Sequence, residues 1–488
     1  MQINELSAQE IATAIAGRNL RPSEVMAACL DRIAAVNPAI NAVVSLRDRD
    51  ALMAEARALD DAPPNGALFG LPVAIKDLAP TKGIRTTWGS PIHAGHVPAA
   101  DALMVARIKA AGAIVIGKTN TPEWGHGSHT FNPVFGATRN PYDLARTPGG
   151  SSGGAAAALA ARMLPLADGS DMMGSLRNPA AFCNVYGFRP SWGLVPGDAG
   201  GESFLSTMAT EGPMARSVQD LARLLGVISG PNPQMPFGLP ARDFLTEVEA
   251  APADLRGKRI AWLGDWDGAY PCEPGILEAC AGGLDVLRGL GAEVVPLAAP
   301  YPAEKLWQTW ITLRAMLNYG AKKLLWDDPA KRALLKPESA WEISTGASLS
   351  AEAVYEASTI RSKWYARAHR LFQGYDAWVM PTAQVWPFAV GERWPQAING
   401  RAMDSYHRWM EVVVPVSLIG LPALNVPVGF GASGLPMGMQ IIGAHGQDAA
   451  VLAMGETYHR ATLWPQKHPP VIAPAGGHPD EARSEQGR

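Results

Sequence analysis

Two glycine- and serine-rich stretches constrain this chain more than any other feature. The first is Thr147-Pro148-Gly149-Gly150-Ser151-Ser152-Gly153-Gly154. The second is Asp168-Gly169-Ser170-Asp171-Met172-Met173-Gly174-Ser175-Leu176-Arg177-Asn178-Pro179. Upstream, Leu71-Pro72-Val73-Ala74-Ile75-Lys76-Asp77 carries a lysine in an apolar, strand-like run. A desolvated lysine, a serine on a flexible turn and a second serine behind a glycine can build a nucleophilic site without histidine.

Each part also has a plainer reading. A lone lysine at a strand end usually snorkels to solvent. Burial disfavours its charged form, so a buried amine can act as a base near neutral pH. A Gly/Ser run is often a linker or a phosphate cradle. A phosphate loop needs lysine and Ser/Thr directly after its glycines, whereas Ala155 follows here. An alanine-rich helix begins at once, which disfavours a linker. Small residues at a helix entry instead let backbone and hydroxyl approach another group closely. Ser175, following a glycine, is ordinarily a turn or N-cap residue. Ser170, Asp171, Gly174, Arg177 and Asn178 crowd around it, and successive N–H groups in an irregular turn can form an oxyanion hole. Asp171 and Arg177 read as a structural pair that holds that turn.

The surrounding chain reads as an α/β layered fold. Ser7 to Val36 gives two helices, the first with the capping-box form Ser7-Ala8-Gln9-Glu10 and the second with Pro22 in its first turn. A strand at 42–46 and a polar, Pro-containing loop to Gly66 follow. Strands at 71–75 and 113–116 flank a helix at 102–111 that Gly112 ends. Strand 258–263, helix 273–290 and strand 293–296 repeat the pattern, with Gly291 as the stop. Residues 303–372 look mostly helical and Trp-rich, and 377–442 returns to short strands and turns. The tail from 469 to 488 is expected to be disordered.

Taken together, these boxes resemble the amidase signature hydrolases. Gly70-Leu71-Pro72 through Lys76-Asp77, the Gly-Gly-Ser-Ser-Gly-Gly box and Gly-Ser-Asp…Gly-Ser-Leu-Arg-Asn-Pro occur in that family's order. Lys118-Thr119-Asn120-Thr121-Pro122-Glu123, Asn132-Pro133-Val134-Phe135-Gly136 and Gly420-Leu421-Pro422-Ala423 extend the likeness over nearly the whole chain. The resemblance implies a large mixed β-sheet core flanked by helices, forming one domain over 1–468 with a variable helical insertion at about 301–375. It also implies a Ser-Ser-Lys triad: Lys76 as base, Ser151 as bridging serine next to a cis peptide bond, and Ser175 as acyl-forming nucleophile. Its oxyanion donors map onto the N–H groups of Met172, Met173, Gly174 and Ser175, and a substrate contact maps onto Gly125. One departure stands out. The family form is Thr-Gly-Gly-Ser, and Met173 here replaces a glycine. Either its φ is negative or the turn is strained, and Met173 is expected to limit the pocket beside the turn.

Two histidine pairs, His93-Ala94-Gly95-His96 and His126-Gly127-Ser128-His129, could suggest zinc. No acidic or cysteine ligand has matching spacing, so no metal and no cofactor are expected. The tryptophans of the helical segment read first as core, and through the resemblance as walls of an acyl pocket that favours apolar or aryl groups.

The formal net charge of −3 implies no broad basic surface for nucleic acid. The N-terminus lacks a basic and apolar signal pattern, and the longest apolar run, 155–166, is too short to span a bilayer. A cytoplasmic protein with reduced cysteines and no membrane partner is expected, with a homodimer left open. The expected activity is hydrolysis of a small-molecule carboxylic amide. Two alternatives stand beside it: the glutaminase (A) component of a tRNA-dependent glutamine amidotransferase, and a non-catalytic ligand-binding relative.

Overall fold

The computed structural model describes residues 2–198 and 202–472. The expected tail at 469–488 falls almost wholly outside them. An eight-stranded mixed sheet forms the core. Its order is Glu293–Pro296, Arg259–Trp262, Ala377–Pro381, Pro436–Ile442, Ala423–Phe430, Tyr186–Arg189, Thr210–Ala215 and Leu166–Asp171. The first three strands run parallel to one another, and the later pairings are antiparallel. The strands of the Ala423–Phe430 and Pro436–Ile442 pair are almost continuously buried and rich in Val, Ile, Leu and Met, as expected of a sheet covered on both faces.

A smaller sheet orders Val43–Val44, Ile114–Thr119 and Pro72–Lys76. The last two strands are parallel, joined by the helix Leu103–Ala110. Every residue of Pro72–Lys76 is buried. This strand abuts the edge strand Leu166–Asp171 of the large sheet, where the Lys76 backbone N–H donates to Asp168 Oδ1 at 2.9 Å and the Lys76 side chain reaches Ser170. The candidate site lies at that junction.

Local chemistry sets the element ends. The capping box at Ser7 and Glu10 is formed, and Pro22 opens the second helix, which runs on to Ile40. Gly112 at φ +89° and Gly291 at φ +95° follow their helices in the left-handed region, as stop residues should. Residues 303–371 form the helices Ala303–Asp327, Pro329–Arg332, Pro337–Ala347 and Ala351–Leu371.

The expected loop up to Gly66 is corrected: Arg49–Leu59 is a helix. Asp48 caps it by accepting from the Ala51 N–H, and Leu52 and Ala56 bury one narrow stripe. That single i,i+4 pair among charged residues is a weak periodic signal. The strand expected at 113–116 extends to Thr119, taking Lys118 inside. The four cysteines are buried and unbridged. No helix among the described residues is long and apolar enough to cross a membrane.

Candidate active site

The Gly-rich box leads straight into the buried helix Gly153–Ala160. A Cβ at Gly154 would lie 2.4 Å from the Asn120 backbone nitrogen, and one at Gly153 would collide with Thr130 Oγ1. Only glycine lets this helix start press so closely on the neighbouring strand and loop. Ser151 and Ser152 therefore stand at the foot of the lysine strand. The Gly150–Ser151 peptide is cis.

Lys76 is 1% exposed. Its Nζ lies 2.8 Å from Ser151 Oγ, 2.8 Å from Ser152 Oγ and 2.9 Å from Ser170 Oγ. No ion pair to Lys76 forms among the described residues. The Ser170 carbonyl accepts at 3.4 Å, and the three hydroxyls, each able to donate or accept, can serve the amine in either protonation state. Burial pushes the Lys76 pKa down to about 8, while the more distant carboxylates of Glu211, Asp168 and Asp171 pull it partly back. Burial also raises Glu211 to about 8 and Asp168 to about 6.

Ser175 sits in a strand–turn–helix corner between Leu166–Asp171 and Arg177–Phe182. Its carbonyl accepts from the Ser152 N–H at 3.2 Å, which ties the two boxes together. Exposure orders the two serines. Ser175 is 8% exposed and Ser151 2%. The Ser175 hydroxyl makes no hydrogen bond among the described residues, so it is the one free to meet an incoming carbonyl.

Asp171 shapes this corner. Its carboxylate accepts from the Gly174 N–H at 2.9 Å and the Leu176 N–H at 3.2 Å. Arg177 Nε and Nη2 donate to it at 3.0 Å each, and Arg189 Nη1 at 3.1 Å. Burial alone would raise its pKa, but Arg177 and Arg189 outweigh that and hold it well below the usual carboxylate range. The expected Asp171–Arg177 pair is present, with Arg189 as a third member. The four-donor oxyanion expectation is corrected in one respect: the Gly174 N–H is already committed to Asp171. The N–H groups of Met172, Met173 and Ser175 have no acceptor among the described residues.

The pocket expectation for Met173 is corrected as well. Met173 is not at positive φ, so no backbone strain follows, and its side chain is buried in the core. Met172 is the half-buried one, with its sulfur 3.0 Å from Arg314 Nη1. Both side chains pack on the same core cluster, Met173 buried within it and Met172 at its margin, where it meets the helical segment. Gly125, at φ +74°, lies against the serine box: a Cβ there would be 3.4 Å from Ser151 Oγ and 3.0 Å from Leu78 Cδ1.

Neither histidine pair converges as metal ligands. His93 and His96 pack on the Trp88 ring at 5.0 and 5.3 Å. His126 is held by Ser339 and Asn318, and His129 by Thr147 and the Val390 carbonyl. No group of three or more possible ligands assembles among the described residues. Ser152, Asp168, Glu211 and Arg189 are site residues that the sequence alone does not assign. Ser152 is legible as the neighbour of Ser151; Glu211 and Arg189 arrive by sheet pairing and carry no local signal.

A lysine without a counter-ion, two serines and free N–H groups at a sheet corner have the make-up of a nucleophilic site with a lysine base. Comparison with known proteins gives the family. The family model described as Amidase matches residues 24–452. An acylamidase of Rhodococcus erythropolis is 33% identical over 476 residues, covering 95% of this chain and 97% of that one. The A component of the glutamyl-tRNA(Gln) amidotransferase of Thermus thermophilus is 37% identical over 478 residues, covering 93% and 97%. The crystal structure of a bacterial aryl acylamidase of the amidase signature family aligns with a TM-score of 0.87 at 29% identity, covering 95% and 99%. This chain belongs to the amidase family and is an amide hydrolase.

Proposed function

We propose that this enzyme hydrolyses a linear carboxylic amide bearing an apolar or aryl group, through an acyl-enzyme on Ser175. The observation that carries the reading is the Lys76 amine, buried without an ion pair and 2.8 Å from Ser151 Oγ. Ser175 Oγ attacks the carbonyl carbon while its proton passes to Ser151, whose own proton passes to Lys76. The oxyanion meets the N–H groups of Met172, Met173 and Ser175. The C–N bond then breaks, and the amine leaves with a proton returned from Lys76 through Ser151. Water enters by the same relay and releases the acid. The acylamidase and aryl acylamidase relatives support the substrate class.

One observation favours a second reading. Identity to the A component of an amidotransferase reaches 37%, and such a chain would free ammonia from glutamine beside a partner protein. Assays on aryl amides, aliphatic amides and glutamine separate the two. The aryl amides should be turned over by the isolated chain, and a fluorophosphonate should label Ser175. Glutamine as the sole substrate, or label on another serine, would overturn the proposal.

A further inference from the structure

Beyond the Lys76 chamber, one cation in the wall of the site lacks a carboxylate partner. The long helix Ala303–Asp327 places Arg314, Asn318 and Lys322 four residues apart, on one face. Its Arg314 end touches Met172 of the oxyanion turn. The guanidinium is matched there by Glu342 and by the Tyr406 hydroxyl. Asn318 Oδ1 lies 2.8 Å from His126 Nε2 and accepts from Lys322 Nζ at 2.8 Å. Lys322 Nζ also stands over the Trp124 ring, 5.7 Å from its centroid. Trp124 directly precedes Gly125, which backs Ser151. Trp124 is in turn stacked on Trp88 at 5.9 Å, and His93 and His96 pack against Trp88. The tryptophans and histidines form a platform that fixes where the ammonium sits.

The charges around it do not balance. Arg314 pairs with Glu342, and Arg393 with Glu338. Lys336 Nζ lies 3.9 Å from Glu338, and its backbone N–H donates to Glu123. Burial holds His126 neutral. Lys322 is the surplus cation: its one hydrogen-bond partner among the described residues is the Asn318 amide oxygen. Two of its three N–H donors are open, and the side chain is half-buried rather than sealed. Burial lowers its pKa to about 8, with Arg314 acting in the same direction, while the more distant carboxylates of Glu342 and Glu123 pull it partly back.

We propose that Lys322, standing on Trp124, is a specificity-determining residue that binds a carboxylate carried by the amide substrate at a distance from the scissile bond. The proposal rests on the amide-hydrolase reading above and narrows its substrate class. Lys322 Nζ turns back along the helix to Asn318 and stands over Trp124, whose neighbour Gly125 backs Ser151. The carboxylate is therefore carried on a spacer that reaches from the serine box to the ammonium over Trp124. The carboxylate closes a charge-assisted contact with the ammonium at the spacer's end.

The test uses matched anilides in two pairs. In one the acyl chain ends in a carboxylate or in a primary carboxamide. In the other the aniline carries the same two groups on a tether. Both kcat and KM are measured for wild type, Lys322→Gln and Lys322→Arg. In at least one pair, wild type should prefer the carboxylate by about tenfold or more in kcat/KM, carried by KM. Lys322→Gln should erase that preference and leave the carboxamide within about twofold, while Lys322→Arg keeps part of it. No carboxylate preference in either pair, or an equal loss on both members of a pair in Lys322→Gln, overturns the assignment of Lys322 alone. Should wild type hydrolyse no member of either pair, the proposed apolar or aryl substrate class fails and this inference fails with it. Rising salt should weaken the wild-type preference, a readout independent of how the variants fold.

Discussion

Lys76 and Asp171 are both buried charges at the same sheet junction, and the fold treats them in opposite ways. Asp171 receives two arginines and two backbone N–H groups. Lys76 receives three serine hydroxyls and no carboxylate within ion-pair reach. The pKa values follow. Arg177 and Arg189 keep Asp171 ionised far below neutral pH, whereas burial brings Lys76 down to about 8. A buried charge with matched partners becomes a fixed structural element. One surrounded by neutral hydroxyls is poised to lose its proton near physiological pH, as a general base requires. The two lie close enough for Asp171 to feed back on Lys76, raising its pKa modestly.

The contrast breaks most sharply at the lysine. Lys76→Ala should cut kcat/KM on an aryl amide by about 10⁴-fold or more, in line with losses seen when one member of a catalytic unit is removed, and leave the melting temperature nearly unchanged. Retained activity in a folded variant would show that the base lies elsewhere. Asp171→Ala should do the reverse in kind. It leaves two buried guanidiniums without their carboxylate, which costs about 3–5 kcal/mol. Denaturant unfolding should show that loss, and an unchanged midpoint would mean Asp171 does not anchor the turn. The smallest expected effect belongs to Met172. Met172→Ala removes the side chain that faces Arg314 but keeps its N–H. Bulky amides should gain in KM, and kcat on small amides should stay within about tenfold, or 1.4 kcal/mol in barrier. An equal kcat loss on small and bulky amides would show that Met172 holds the turn rather than the pocket.

The site is legible in the sequence where its chemistry is local. Lys76, Ser151, Ser175 and the Asp171–Arg177 pair sit in short boxes whose glycines announce close approach. Arg189, Glu211, Gln440 and Ser417 reach the same corner from distant segments. Only the sheet order brings Glu211 opposite Ser170, or Gln440 to the Arg177 guanidinium. Met172 and Met173 are adjacent in sequence, and no periodic signal in an irregular turn tells which one is buried. Packing decides, burying Met173 within the core cluster and leaving Met172 half-buried against Arg314. The strands near 72–76, 114–119, 259–262 and 293–296 are visible because they are apolar and bounded by glycine or proline. Leu166–Asp171, Tyr186–Arg189 and Thr210–Ala215 carry glycine, polar residues or proline inside them and do not read as strands. The Arg49–Leu59 helix is not visible either, because its buried stripe is only Leu52 and Ala56. The helical segment is visible as helix, but its inner network of Arg314, Asn318, Lys322 and Glu342 depends on packing between helices rather than on any motif.

The central claim is that Lys76 works as a neutral amine. The most direct test is kcat/KM for a neutral aryl amide across the range from mildly acid to alkaline pH, on wild type. The folded pKa of Lys76 lies below that of a free lysine, so the reactive form accumulates as pH rises through about 8. The account predicts a tenfold rise per pH unit at the acid end, bending to a plateau above a midpoint near pH 8. A profile flat across the whole range, or one that falls as the amine loses its proton, would contradict it.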